Sequence, residues 1–302
     1  MSSEYSKVHV YLALIIGMIT FGFAPIIVRY GTDYSALNIA ATRTCLAALL
    51  LLPFWWMHIS KMKKKGEPVS RLTKWEVLAG VSLGVHFICF IGSLYYTSIA
   101  SAAVLISVHP ILLIIVERWF FKIHFSRTIW LGVITAFVGS LLLGFTDQSA
   151  GDSFSNPLLG NALAFLGAMV FVGYFLIGKK VRQGSSWIEY VFKVYSFAAI
   201  TCTVVFLAVE GPSGIVFGED LIFVSLALAL GPQIVGHGSL NYAVKYISPT
   251  ILATLILAEP LFSSILGFTI FQELPAVPSI IAMVIIMCGI MLTWKKGKAA
   301  EA

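Results

Sequence analysis

Two stretches, L-I-S-V-H-P-I-L-L-I-I-V-E at 105–117 and L-I-L-A-E-P-L-F-S-S-I-L-G at 255–267, carry the architecture of this chain. Each is an apolar run interrupted by a polar residue and a proline, and the two breaks, His109-Pro110 and Glu259-Pro260, lie 150 residues apart. The same offset superposes Gly139 on Gly289, Gly17 on Gly167 and Arg43 on Lys193. Self-similarity at a fixed period means a repeated structural unit. The units are residues 1–150 and 151–302. If each unit crosses a bilayer five times, an odd number, the second enters upside down relative to the first. The expected fold is therefore an all-α membrane protein of ten transmembrane helices, two inverted five-helix repeats forming one integral membrane domain.

Composition requires a membrane as solvent. Hydrophobic residues make up 59% of the 302, and the mean hydropathy of +0.93 exceeds what a soluble domain of this size hides in its core. A helix needs about 20 mostly apolar residues to cross roughly 30 Å of hydrocarbon. The spans expected on that basis are Val8 to Tyr30, Ser35 to Met57, Trp75 to Tyr96, Ile99 to Glu117 and Thr128 to Phe145 in the first half. In the second they are Pro157 to Gly178, Trp187 to Val209, Leu221 to Val244, Pro249 to Phe271 and Ala276 to Trp294. No A-x-A-like site follows the first apolar run, so it reads as a retained span and not a cleaved signal.

Basic residues in short loops stay on the cytoplasmic side. Alternate loops hold Lys61, Lys63, Lys64, Lys65, Arg71 and Lys74, then Arg118, Lys122 and Arg127, then Lys179, Lys180 and Arg182, then Lys245. Lys7 precedes the first span, and Lys295, Lys296 and Lys298 follow the last. The opposite side carries Arg29 alone among cations, with Asp33, Asp147, Asp152, Glu210, Glu219, Asp220 and Glu273. Both termini are thus expected in the cytoplasm, the chain lying in a bacterial inner membrane. The formal charge of +6 is a topology signal, not a nucleic-acid-binding surface. Cys45, Cys89, Cys202 and Cys288 all fall within spans without metal-ligand spacing, so neither disulfides nor a metal or other cofactor are expected. The expected partners are the lipid bilayer and a small-molecule solute, and a monomer is compatible with the plan.

The residues able to do chemistry are those whose burial in hydrocarbon is costly. Glu259 stands mid-span before Pro260, whose missing N–H leaves the carbonyl of Ile256 without its helical partner. It is a candidate solute contact or proton-titrating switch, against the alternative of a carboxyl that shapes a kinked helix. Pro110 repeats the kink, with His109 in place of the acid. Gln233, His237 and Asn241, spaced i, i+4, i+8, form a polar stripe along the eighth span, which Pro232 and three glycines loosen. The matching positions in the third span, at an offset of 146, are Phe87, Ile91 and Tyr95; polarity that breaks the repeat points to a cavity lining more than to interhelical glue. His86, beside Phe87 and Phe90 and ten residues before Tyr96, is either a packing histidine or a neutral imidazole facing solute. Arg43 and Lys193, equivalent by the repeat, either pair or snorkel structurally, or act as a gate, charge partner or carboxylate anchor.

Ten spans, internal termini, a five-helix repeat, proline in the fourth span and Glu-Pro in the ninth together define a pattern. With Gly92-Ser93-Leu94-Tyr95-Tyr96 and Gly238-Ser239-Leu240-Asn241-Tyr242, the chain resembles, over essentially its whole length, the EamA-type branch of the drug/metabolite transporter superfamily. The resemblance implies a ten-helix inverted-repeat carrier with a central cavity formed mainly by helices 1, 3, 4, 6, 8 and 9, helices 5 and 10 standing at the periphery. Substrate-binding candidates are then His86, Tyr96, His109, Gln233, His237, Asn241 and Glu259. No G-x-x-x-x-G-K-[ST] phosphate loop occurs, so ATP is not the driver. The expected function is alternating-access export of a small amphipathic metabolite, such as an amino acid. The competing expectation is a proton-coupled exporter of lipophilic cations working through Glu259. An intramembrane enzyme is disfavoured, because no nucleophile and base pair appears at interpretable spacing.

Overall fold

The computed structural model describes residues 2–97, 102, 105–146, 155–259, 261, 262, 266 and 277–300. These residues form helices and turns, with no strand among them. In chain order the α-helices are α1 (Ser2–Gly22), α2 (Ala24–Arg29), α3 (Ala36–Lys64), α4 (Lys74–Tyr96), α5 (His109–Phe120) and α6 (Arg127–Thr146). There follow α7 (Pro157–Val181), α8 (Trp187–Glu210), α9 (Glu219–Leu228), a π-helical segment (Ala229–His237), α10 (Gly238–Ala243), α11 (Pro249–Ile256) and α12 (Val277–Ala300). Within the described residues seven helices are long and apolar enough to cross a membrane: Val8–Arg29, Ala36–Lys64, Lys74–Tyr96, Pro157–Val181, Trp187–Glu210, Glu219–Ala243 and Val277–Trp294. Arg127–Leu142 is a shorter apolar helix. The outer parts of the expected fourth and ninth spans, including Pro260, lie outside the described residues.

Local chemistry sets where these helices begin. Ser35 accepts from the backbone N–H of Asn38 at 3.0 Å, and Asn156 accepts from that of Leu159 at 3.1 Å, with Pro157 in the first turn. Thr73 with Glu76, and Ser186 with Glu189, form reciprocal capping boxes that open α4 and α8. Helix α3 has 29 residues, about 43 Å at 1.5 Å per residue, and so overruns the hydrocarbon. Its last turn accordingly carries Lys61, Lys63 and Lys64 into water.

Packing joins the halves. α4 lies along α7, while α1 lies against the π segment and α10; α3 lies along α8, α5 against α11, and α6 along α12. The last pair approaches to backbone contact. A Cβ on Gly289 would sit 2.3 Å from the amide nitrogen of Ala136, and one on Gly132 would sit 2.8 Å from the carbonyl oxygen of Gly289. Glycine permits that approach, a familiar device where helices associate in lipid. The outer faces of the same pair expose Leu131, Ile134, Ile281 and Val284, as a surface in contact with lipid tails should.

Four helical rods are interrupted partway along. α1 gives way to α2 at Phe23, ahead of Pro25; α5 starts only after a turn at Ser107 and Val108; Pro232 lies inside the π segment; and α11 ends in a turn at Leu257 and Ala258. The second and fourth of these breaks are 150 residues apart, and each is followed by renewed helix at the polar residue, His109 or Glu259. At the later one the bonds tighten to i→i−3, Leu257 N–H to Thr254 O at 3.2 Å and Ala258 N–H to Leu255 O at 2.9 Å. Broken helices within a membrane protein are tolerated where they line a cavity or pack within protein.

Candidate functional site

The breaks surround one cavity. Phe21 and Ala24 reach it from either side of the α1–α2 break, Ile106 and His109 from the second break, Pro232 and His237 from the π segment, and Ile256 and Glu259 from the last. Continuous helices add Arg43 from α3, His86, Phe87 and Phe90 from α4, and Ala168 and Phe171 from α7. The lining thus draws on the expected spans 1, 3, 4, 6, 8 and 9, and takes Arg43 from span 2 besides.

Of the residues singled out from sequence, Arg43, His86, His109, His237, Glu259 and Pro232 meet here. His237 is the hub. Its ring stands edge-on to Phe21 and to Phe87, both at 5.0 Å between centroids, and lies 5.9 Å from His86 and 6.1 Å from Phe171. His86 Nδ1 donates to the carbonyl of Gly167 at 3.0 Å, and His109 Nδ1 donates to that of Ile106. Those bonds fix both rings, and in the neutral imidazole they leave Nε2 as the acceptor.

Arg43 is only 1% exposed. Its Nε donates to Gln233 Oε1 at 3.2 Å and its Nη2 to the carbonyl of Leu228 at 3.4 Å, while the guanidinium lies 4.3 Å above the Phe87 ring. Among the described residues no carboxylate lies within 4.0 Å of it, and the ion pairs are Lys65 with Glu67 and Lys193 with Glu76. Glu259, half-buried, is the acid of the cavity wall, and it forms no ion pair with Arg43 within that limit.

The remaining candidates sit elsewhere. Gln233 is fully buried behind the wall, its side chain turned to Arg43 and its carbonyl accepting from Tyr195 OH at 2.7 Å. Asn241 is fully buried nearer the end of the eighth span; Tyr174 OH donates to its Oδ1 at 2.8 Å and Arg182 Nε to its carbonyl at 2.9 Å. Tyr96 closes α4 and is half-buried outside the lining. Lys193 is pinned to the loop before α4, its Nζ reaching Glu76 Oε1, Ser70 O and Arg71 O at 3.0 Å each and Ser70 Oγ at 2.9 Å. Pro110 follows His109 in the first turn of α5, where its ring costs no helical bond. Pro260 lies outside the described residues.

Sequence reasoning missed the apolar wall at Phe21 and Phe171, since a phenylalanine in an apolar span carries no distinguishing mark. It also took Arg182 for a loop cation, whereas the side chain is 2% exposed and ties α7 to α10.

The chain belongs to the EamA-like transporter family, whose model matches it twice, over residues 9–145 and 158–295. It is 25% identical over 264 residues to an uncharacterized transporter of Clostridium kluyveri, covering 85% of this chain and 82% of that protein. It is 24% identical over 309 residues to an uncharacterized transporter of Archaeoglobus fulgidus, covering 96% and 98% respectively. A crystal structure of another protein superposes with a TM-score of 0.76 over 98% of this chain and 99% of that one at 15% identity, a likeness of fold. The chain is accordingly an integral membrane protein of a transporter family.

Proposed function

We propose that this member of the family is a secondary carrier, not an enzyme, that exports a small amphipathic metabolite, an amino acid or close relative, across the bacterial inner membrane by alternating access. The observation that carries the reading is a cation and an acid, Arg43 and Glu259, facing one cavity without pairing to each other. Burying an uncompensated charge costs several kcal/mol. A zwitterion offsets both at once, its carboxylate meeting the guanidinium and its ammonium the carboxyl. The imidazoles and the rings of Phe21, Phe87, Phe90 and Phe171 suit the rest of an amphipathic solute.

The proposal includes ten spans in two inverted halves with both termini in the cytoplasm. The packing pattern supports it. Exchanging the halves at the 150-residue offset turns the contact of spans 1 and 8 into that of spans 6 and 3, and returns the pairs 2 with 7, 4 with 9 and 5 with 10 to themselves. A pseudo-two-fold axis relating the halves generates that set of contacts, and for two five-span units of opposite orientation it would lie in the membrane plane.

Labelled amino acids loaded into proteoliposomes provide the test. The account predicts saturable, protein-dependent movement of a zwitterion that is recovered chemically unchanged. Chemical conversion of the solute would make the chain an enzyme. Preference for lipophilic cations with obligatory proton exchange would favour the multidrug alternative, which uses the same carboxyl and aromatic rings but gives Arg43 no role.

A further inference from the structure

We propose that Gln233 is a positioning residue which, with the carbonyl of Leu228, aims the guanidinium of Arg43 at the carboxylate of the solute. The inference rests on the carrier reading above and names how its carboxylate pole is held.

The repeat itself provides a contrast. Arg43 and Lys193 occupy equivalent positions, 150 residues apart. Lys193 is compensated within the protein by a carboxylate and three further oxygens. Arg43 is the more deeply buried of the two, yet among the described residues only neutral groups hold it: one amide oxygen, one carbonyl and the face of one ring. Dipoles orient a cation without neutralising it, so the counter-charge is left to a ligand.

The eighth span is built to supply those dipoles. Pro232 has no N–H, so the carbonyl of Leu228, four residues earlier, cannot take an α-helical partner and enters instead the π-helical register that opens there, its second lone pair remaining for a side chain. That carbonyl accepts from Arg43 Nη2. The next residue, Gln233, presents its Oε1 to Nε, while its own Nε2 is buried with no partner among the described residues. An amide that leaves its donors unmet to direct its oxygen at a guanidinium is held in that orientation by the charge. Tyr195 OH on the carbonyl of Gln233 fixes the backbone beneath it. Arg43 carries five N–H donors in a rigid fork, and two positions are occupied here, which orients the remainder for planar recognition of a carboxylate.

Two variants test the role, Gln233→Glu and Gln233→Asn. The first places a resident carboxylate against Nε and competes with the solute; the second keeps an amide but withdraws it from the guanidinium. The probes are L-leucine and L-phenylalanine with their decarboxylated counterparts, 3-methylbutylamine and 2-phenylethylamine, which retain only the ammonium. The readout is the ratio of apparent affinities, amino acid over amine, measured by competition in proteoliposomes. We expect the ratio to fall about tenfold in Gln233→Glu, the loss of roughly one charge-assisted hydrogen bond, and less in Gln233→Asn. A merely structural glutamine would weaken acid-bearing and acid-lacking probes equally. A ratio unchanged within about twofold in both variants, with the parent binding normally, overturns the positioning role alone. If the parent binds none of the four probes, the amino-acid carrier reading fails and this inference falls with it.

Discussion

Arg43 and Lys193 stand at the same place in the two halves, and replacing each by methionine should have opposite consequences. Lys193→Met strands the Glu76 carboxylate, 2% exposed, without the cation 3.0 Å away, and deprives three other oxygens of a donor. Breaking a largely buried pair from one side costs about 3–5 kcal/mol in full burial, and the partial exposure of Lys193 reduces this to about 2–4 kcal/mol. At the usual scaling of about 2–4 °C per kcal/mol, the melting temperature should fall by roughly 4–16 °C. Arg43→Met removes two long hydrogen bonds to neutral groups, worth about 1 kcal/mol each, but also removes a buried charge whose desolvation costs several. The ligand-free protein should therefore melt at the parent's temperature or above it. Stabilisation by added amino acid should be lost in Arg43→Met and retained in Lys193→Met. Thermal unfolding of the three purified proteins, with and without a transported amino acid, measures all four quantities. An Arg43→Met protein that melts well below the parent, or one that keeps its ligand-induced shift, would refute the reasoning.

Three further outcomes follow from other parts of the molecule. Glu259→Gln preserves shape and removes titration, so transport should lose its pH dependence while binding survives better than in Glu259→Ala; an unchanged pH profile would leave the carboxyl a companion of the helix break. Gly289→Ala forces a methyl to within 2.3 Å of the Ala136 backbone, and overpacking of this kind costs about 1–3 kcal/mol, seen as a lower melting temperature with little change in solute affinity. Cysteines introduced singly at Lys64 and Asp152 should react with impermeant reagents from opposite sides of the membrane, and labelling from the same side would contradict the five-plus-five inverted plan.

Much of the architecture was legible because hydrocarbon leaves few ways to place a polar group. The His109-Pro110 and Glu259-Pro260 offset anticipated matching helix breaks, which fall at Ser107–Val108 and Leu257–Ala258, just ahead of the polar residues. Arg43, His86, His109, His237 and Glu259 stood out in apolar spans and share the cavity wall. The stripe rule was less informative for Gln233. Its premise is the i, i+4 register of an α-helix, but Ala229–His237 is π-helical, with i→i+5 bonding and a wider turn, and Gln233 is engaged by Arg43 instead of standing in the cavity lining. Asn241 lies beyond that segment, where Tyr174 and Arg182 claim it. The different fates of Arg43 and Lys193 depend on partners more than 100 residues away, which no local pattern encodes.

The central claim is that the cavity recognises both poles of a zwitterion, and the most direct measurement is thermal stabilisation of the purified parent by matched compounds. A ligand that binds only the folded state raises its melting temperature by an amount that grows with the logarithm of its concentration over its Kd. Each test set comprises an amino acid, its decarboxylated amine and its deaminated acid at equal concentration. The account predicts that at least one amino acid stabilises the protein and that neither of its singly charged counterparts does so comparably. Equal stabilisation by the amine or the acid, or none by any amino acid, would contradict it.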